Sequence, residues 1–359
     1  MDKQLQIIAD KVYSNIRLSQ EDGIYLYQSS DLITIGELAR YKKLQTSGQN
    51  IFFNVNQHIN LTNVCTSRCE FCAFGVDHQN NNSYLMTRKE AFDYGSSAVD
   101  CSITEFHIVS AMHPDMPFDY YVGVVNDLHQ AFPDIHIQAF TAVEIFYFAQ
   151  ISGLSIKEVL QALQEAGLGS MPGGGAEILD DTIRRRLCPR KAMSQDWLEV
   201  HRTAHELGIK TNCTMLFGHI ETMEQRINHL ISLRELQDSH PGFQAFIPLP
   251  FLPDNTHLDY LKRTSALDDI KTLAIARLML DNIDHIKAFW VMLGIDIAQI
   301  SFFFGADDID GTVIEEKIMH AAGAKTGTAI SKEDIIKLIK EAGYIPTERD
   351  TLYNILQVY

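Results

Sequence analysis

The sequence predicts a parallel α/β barrel of the TIM, (β/α)8 type, closed or partly open, and three observations carry that expectation. From Ile51 onward short apolar runs alternate with longer amphipathic ones. Polar and glycine-rich segments follow the apolar runs, as loops at one barrel end would. The 359 residues, 46% hydrophobic and 21% charged, suffice for a large single core.

Residues 1–45 read as a helical N-terminal extension, 46–310 as the barrel and 311–359 as a C-terminal helical segment packed on it. In the extension Leu5, Ile8, Val12 and Ile16 recur at helical spacing, and Ser30-Asp31 caps a run through Leu32 and Leu38. Eight strands are expected at about 52–63, Glu105–Val109, Ile135–Phe140, Leu168–Met171, Lys210–Met215, Phe243–Ile247, Ile286–Trp290 and Ala298–Phe303. Helices fall near 87–99, 118–131, 155–166, 195–207, 222–237 and 266–282. Ser155 with Glu158 and Thr222 with Gln225 have the form of capping boxes, and Gly167 and Gly208 stand where helices end. The connection around Met292 to Ile297 is short for a full helix, so a partly open barrel of six strands is the alternative. After Gly305 an acidic, glycine-bearing loop leads to a last helix, in which Ser331 caps Ile335, Ile336 and Ile339.

The balance of 46 acidic against 30 basic residues, a net charge of -16, repels phosphate backbones and anionic membranes and argues against nucleic acid as a partner. The N-terminus lacks an apolar signal region, and no window approaches the roughly 18 apolar residues of a membrane span, so a cytoplasmic protein is expected. Six cysteines are too few for a disulfide scaffold. Cys101, Cys188 and Cys213 are scattered and are expected as buried, inert thiols.

The other three form Cys65-Thr66-Ser67-Arg68-Cys69-Glu70-Phe71-Cys72, a C-x3-C-x2-C triplet directly after the first strand, where barrels carry catalytic loops. Structural zinc takes four ligands, commonly as two separated pairs, and no second pair follows here. A cubane iron-sulfur cluster held by three cysteines keeps one iron open to a small molecule. A non-catalytic scaffold with structural zinc is the alternative from another class.

This spacing, with Phe71 before the last cysteine, resembles the signature of the radical S-adenosylmethionine (SAM) enzymes. Further segments resemble the aminodeoxyfutalosine synthase family of the futalosine route to menaquinone: Thr62-Asn63-Val64-Cys65, His113-Pro114-Asp115, Phe140 to Glu144, Pro172 to Glu177, Gly218 to Thr222, Phe243 to Leu249 and Gly305 to Thr312. The resemblance implies a radical SAM barrel with a 4Fe-4S cluster on Cys65, Cys69 and Cys72, and SAM as co-substrate. It implies addition of the 5'-deoxyadenosyl radical to 3-[(1-carboxyvinyl)oxy]benzoate, an aryl enol ether dicarboxylate, to form 6-amino-6-deoxyfutalosine with release of methionine and bicarbonate. A low-potential donor such as flavodoxin or ferredoxin would supply the electron. A cyclase of the same route, resembling dehypoxanthine futalosine cyclase, and a deazaflavin-cofactor synthase share the first motif and the barrel. Where the family has two glycines before His-Pro-Asp, this chain has Ser110-Ala111.

For the cofactor the expected contacts are Phe71, Ser110, Ala111, Glu144, Gly173, Gly174, Glu177 and Thr214. Glu144 and Glu177 end strands, where a carboxylate can bind ribose hydroxyls or an ammonium, or simply be solvated. Glycines 173 to 175 permit close backbone approach, or a turn. His219 and Glu177 are the catalytic candidates; His219 could orient or protonate a substrate carboxylate, or be structural. Arg88 and Arg184 to Arg186 are possible carboxylate counterions, with an exposed helix face as the alternative. Asp307, Asp308 and Asp310 lack the spacing of a calcium loop and are placed near the cofactor or substrate.

Overall fold

The structure, a computed structural model, describes residues 2–99 and 102–359, so Cys101 lies outside the described residues. Three helices come first, Lys3–Tyr13, Gln20–Gln28 and Leu32–Ser47; the side chain of Asp31 caps the third by accepting from the Thr34 N–H. Strands follow as β1 (Asn50–Asn54), β2 (Asn56–Ile59), β3 (Glu105–Ile108), β4 (His136–Ala139), β5 (Ser170–Met171) and β6 (Lys210–Phe217). The remainder are β7 (Phe243–Pro250), β8 (His285–Ile286), β9 (Asp308–Gly311), β10 (Ile345–Arg349) and β11 (Ile355–Val358). Strands β2 to β8 form one seven-stranded sheet in sequential order, every pair parallel, and the intervening helices cover its outer face. Ser155 and Thr222 close capping boxes with Glu158 and Gln225, and Gly167 and Gly208 end their helices at positive φ.

Two expected strands are corrected. The first, 52–63, breaks at Val55 into β1 and β2, which belong to different sheets. The eighth, Ala298–Phe303, is helical: Ile295–Ser301 is an α-helix continued by a 3-10 turn over Phe302–Phe304. Ala298 and Phe302, four apart, are fully buried while Ile300 between them is 43% exposed, the stripe of a helix and not the alternation of a strand. Its place in the barrel falls to β9, which pairs in parallel with β1. Single parallel bridges, Lys287 to Asp308 and Gln57 to Ile314, carry the ladder from β8 back to β2. The curled seven-stranded sheet is thus a partial barrel whose gap is bridged by this segment.

The C-terminal stretch holds the helix Lys332–Glu341, capped by Ser331, and also β10 and β11, which the helical reading missed. β10 pairs in parallel with β1, so the end of the chain is built into a four-stranded sheet of order β11-β10-β1-β9. From β10 the chain turns under the barrel: Thr351 donates to Glu105 at 2.8 Å, and Tyr353 stacks on His285 with ring centroids 3.7 Å apart. Asp307 and Asp308 lie at this base and not beside the cysteines. Asp307 pairs with Arg277 at 2.6 Å and His285 at 2.9 Å, and Asp308 with Arg349 at 2.6 Å, all four acidic and guanidinium partners being buried. No helix among the described residues is long and apolar enough to cross a membrane.

Candidate functional site

At the other end of the barrel a cavity of about 220 Å³ opens among the loops that follow β2 to β7. Cys65, Cys69 and Cys72 line it together with Phe71, Ser110, Ala111, Glu144, Gly174, Glu177 and Thr214. Sequence reasoning thus drew ten residues from five separate segments of the chain to one wall.

The cysteine loop is folded around its own sulfurs. The N–H of Ser67 donates to Cys65 Sγ at 3.5 Å and that of Gly75 to Cys72 Sγ at 3.3 Å. A Cβ on Gly75 would stand 3.2 Å from Cys65 Cβ and 3.7 Å from Cys72 Sγ, so glycine lets the chain pass close behind both cysteines without pushing Cys65 aside. The loop is anchored outward by backbone bonds, Thr66 N–H to the Met112 carbonyl at 3.0 Å and Glu70 N–H to the Leu187 carbonyl at 2.8 Å. The three thiols all line this one cavity, a set of soft sulfur donors that fits an iron–sulfur centre. Cys188, read as inert, is fully buried and hydrogen-bonds Cys69, while Cys213 is buried within β6.

Glu144 stands in the first turn of the helix Ala142–Ser152, a helix the sequence pattern concealed because it is apolar on most sides. Its carboxylate accepts from the Thr141 N–H at 2.8 Å, the Thr141 hydroxyl at 2.7 Å and the Ser110 N–H at 2.8 Å. Burial nevertheless pushes this carboxyl up to about 7, with those donors pulling the other way. Ser110 therefore does not crowd the cavity with a loose side chain. Its hydroxyl accepts from the Thr62 N–H at 3.2 Å, pinning the serine to the end of β2, and the Ala111 N–H bonds the Thr62 carbonyl.

The glycine segment is held from behind. Arg184, wholly buried, donates to the carbonyls of Gly175, Ala176, Ile178 and Ala192, so this member of the arginine run clamps a loop and is neither a solvated face nor a free counterion. Arg88 is a surface residue paired with Asp127. Gly173 lies off the cavity wall: a Cβ there would meet the Cys213 backbone at 2.6 Å, and its carbonyl accepts from the Thr214 hydroxyl at 2.8 Å. Glu177 takes φ +48°, and Arg68, also on the cavity wall, takes +47°, both in the left-handed region.

Lys191 escaped sequence reasoning. It lines the cavity, its ammonium 2.9 Å from Glu177 Oε1 and 5.2 Å from the centre of the Phe71 ring. Burial disfavours its charge, but Cys69 and Glu177 outweigh that and raise it well above the usual lysine value. The one available signal was a lysine close behind an arginine run, which reads as surface. His219 is elsewhere: its side chain is fully buried, bonded to the Leu216 carbonyl at 3.0 Å and paired with Glu221 at 2.9 Å, and it does not line the cavity.

Comparison with known proteins agrees with this architecture. Residues 59–233 match the model of the radical SAM superfamily, and residues 240–359 match that of the CofH/MqnC C-terminal region. Over its full length the chain is 44% identical to aminodeoxyfutalosine synthase of Thermus thermophilus, covering 97% of that protein, and over 98% of its length it is 42% identical to the Streptomyces coelicolor enzyme of the same name, covering 94% of it. It is also 42% identical over 86% of its length to the 5-amino-6-(D-ribitylamino)uracil–L-tyrosine 4-hydroxyphenyl transferase of Archaeoglobus fulgidus, covering 90% of it. Among solved structures, methylornithine synthase superposes with a TM-score of 0.76 at 18% identity, covering 94% of this chain and 97% of that one, a likeness of fold.

Proposed function

The chain belongs to the radical SAM superfamily and is a radical SAM enzyme, and on that footing we propose that it is an aminodeoxyfutalosine synthase, joining the adenosyl group of SAM to 3-[(1-carboxyvinyl)oxy]benzoate. The product would be 6-amino-6-deoxyfutalosine, with methionine and bicarbonate released. A 4Fe-4S cluster with one open iron, when bound, supplies the electron that cleaves SAM to methionine and a 5'-deoxyadenosyl radical. Cys65, Cys69 and Cys72 would hold it.

The chain's own task is then positioning and exclusion. Lys191 offers a cation for a carboxylate, and Glu177 beside it an anion for an ammonium, both presented on the wall that carries the cysteines. Thr214, Ser110 and Glu144 fix the loop backbones between them. Val109, Leu216, Leu249, Phe251 and Met292 make the rest of the wall apolar, which keeps water from a carbon radical. The observation that carries the reading is this wall combined with full-length identity of 44% to an enzyme of that name. A low-potential donor such as flavodoxin or ferredoxin would deliver the electron, in the cytoplasm.

The second reading is 4-hydroxyphenyl transfer in deazaflavin-cofactor synthesis, favoured by the 42% identity to the Archaeoglobus enzyme. Anaerobically reconstituted enzyme given reductant, SAM and the enol ether should yield the adenosylated product by mass, and Cys69→Ala should lose the cluster absorbance and the product together. Product from a variant without the absorbance would refute the assignment of the cysteines.

A further inference from the structure

Three residues with lone pairs to offer meet on the rim of the barrel mouth, and no step of the proposed reaction uses them. Two belong to His113-Pro114-Asp115, which follows the cavity-lining Ser110, Ala111 and Met112. Pro114 and Asp115 form a turn, for which proline supplies the fixed φ. The turn carries Asp115 back toward His113, whose Nδ1 stands 3.2 Å from the Asp115 N–H. His113 is buried, and its carbonyl accepts from the Tyr147 hydroxyl at 2.9 Å, so the ring has a fixed base.

The third residue comes from another loop. The stretch after Cys72 folds on itself: the Asn80 N–H donates to the Asp77 carbonyl at 3.0 Å, the Ser83 N–H to the Asn80 carbonyl at 2.9 Å and the Ser83 hydroxyl to the His78 carbonyl at 3.1 Å. Asn63 anchors it to the barrel by accepting from the Tyr84 N–H at 2.8 Å and donating to the Asn82 carbonyl at 2.9 Å. His78 Nδ1 is thereby set 3.3 Å from Asp115 Oδ2, and its ring centre lies 5.4 Å from that of His113. The ligand atoms of His78, His113 and Asp115 all lie within 4.8 Å of one another.

An ion pair between His78 and Asp115 accounts for two of these groups and sets a cation beside the His113 ring, which gains nothing from it. A divalent cation satisfies all three. Two imidazoles and one carboxylate are a ligand set for first-row divalent metals, whereas calcium and magnesium favour oxygen. Two ligand atoms about 2.0–2.1 Å from a tetrahedral ion stand about 3.4 Å apart, the separation His78 and Asp115 already have. Both side chains are more than half exposed, so they can turn the short way that brings all three onto one ion. Arg68 is taken up by Asp77 and does not compete for Asp115.

We propose that His78, His113 and Asp115 bind one zinc-class divalent cation, a structural clip between the loop that follows Cys72 and the loop that follows β3. The inference is independent of the reaction proposed above. Thr66 N–H already bonds the Met112 carbonyl at 3.0 Å, so the clip fastens a second time the two segments that carry the cysteines and the neighbouring cavity wall.

The test uses tag-free, cluster-loaded enzyme, freed of loosely held metal by chelator and dialysed anaerobically against zinc, with zinc and iron counted in the same sample. Zinc should saturate at about one ion per chain with iron unchanged. His78→Ala and Asp115→Asn, both at exposed positions, should each weaken zinc binding by about tenfold or more, at least the cost of losing a supporting partner of a metal ligand. Zinc should also slow hydrogen exchange over residues 77–83 in wild type and not in the variants. No zinc uptake by the loaded enzyme, uptake that both variants retain, or zinc gained only as iron is lost, which places it on the cysteines, overturns the site.

Discussion

Glu144 illustrates how single side chains set the chemistry of the mouth. It accepts three hydrogen bonds from loop backbones and one hydroxyl, yet burial raises its carboxyl from the ordinary 4.5 to about 7. The folded form thus binds the proton more tightly than the unfolded chain, so this group's contribution to stability is full below about 4.5, falls as pH rises to about 7 and is level above. Glu144→Gln should flatten that slope in urea melts across the window; an unaltered slope would mean that the carboxyl is not held protonated. Arg184 acts on structure alone. Arg184→Met strips donors from the carbonyls of Gly175, Ala176 and Ala192, and should cost about 2–4 kcal/mol in denaturant unfolding. At this scale the cysteines were legible because all three lie within eight residues and their chemistry is rare. Lys191 was not, since a lysine becomes a cavity cation only through partners such as Glu177 and Phe71 that other loops bring to it.

At the scale of elements, β9 to β11 decide whether the barrel holds together. β9 stands where an eighth strand belongs, and β10 ties the chain's end to β1. Both were hidden because their strands are short and charged, their cohesion coming from buried ion pairs and not from an apolar run. Asp308 and Arg349 are the sharpest case, each 1% exposed or less. Arg349→Leu leaves Asp308 buried without its counterion and should cost about 3–5 kcal/mol. Arg202→Ala, which breaks a half-exposed pair with Glu199 on an outer helix, should stay within about 1 kcal/mol. Equal losses from the two would show that burial is not what makes the base pair matter. The capped helices, by contrast, were read correctly from Ser155, Thr222 and Ser331, because a cap is a local device whose parts lie three residues apart.

For the whole molecule the architecture separates two ends. The base is closed by Thr351, Tyr353 and the ion pairs, while the top gathers cysteines, a lysine–glutamate pair and an apolar wall around one cavity. A radical made at the top would be surrounded by the apolar wall of Val109, Leu216, Leu249, Phe251 and Met292. Whether the adenosyl group leaves as free 5'-deoxyadenosine or stays in the product is the question that separates adenosyl transfer from its hydrogen-abstracting relatives. The direct measurement follows SAM labelled in its adenosyl carbons, with the enol ether, in reconstituted enzyme. Label appearing in 6-amino-6-deoxyfutalosine in step with methionine release is the expected result; label accumulating as free 5'-deoxyadenosine in step with methionine, with none in an adduct, would contradict it.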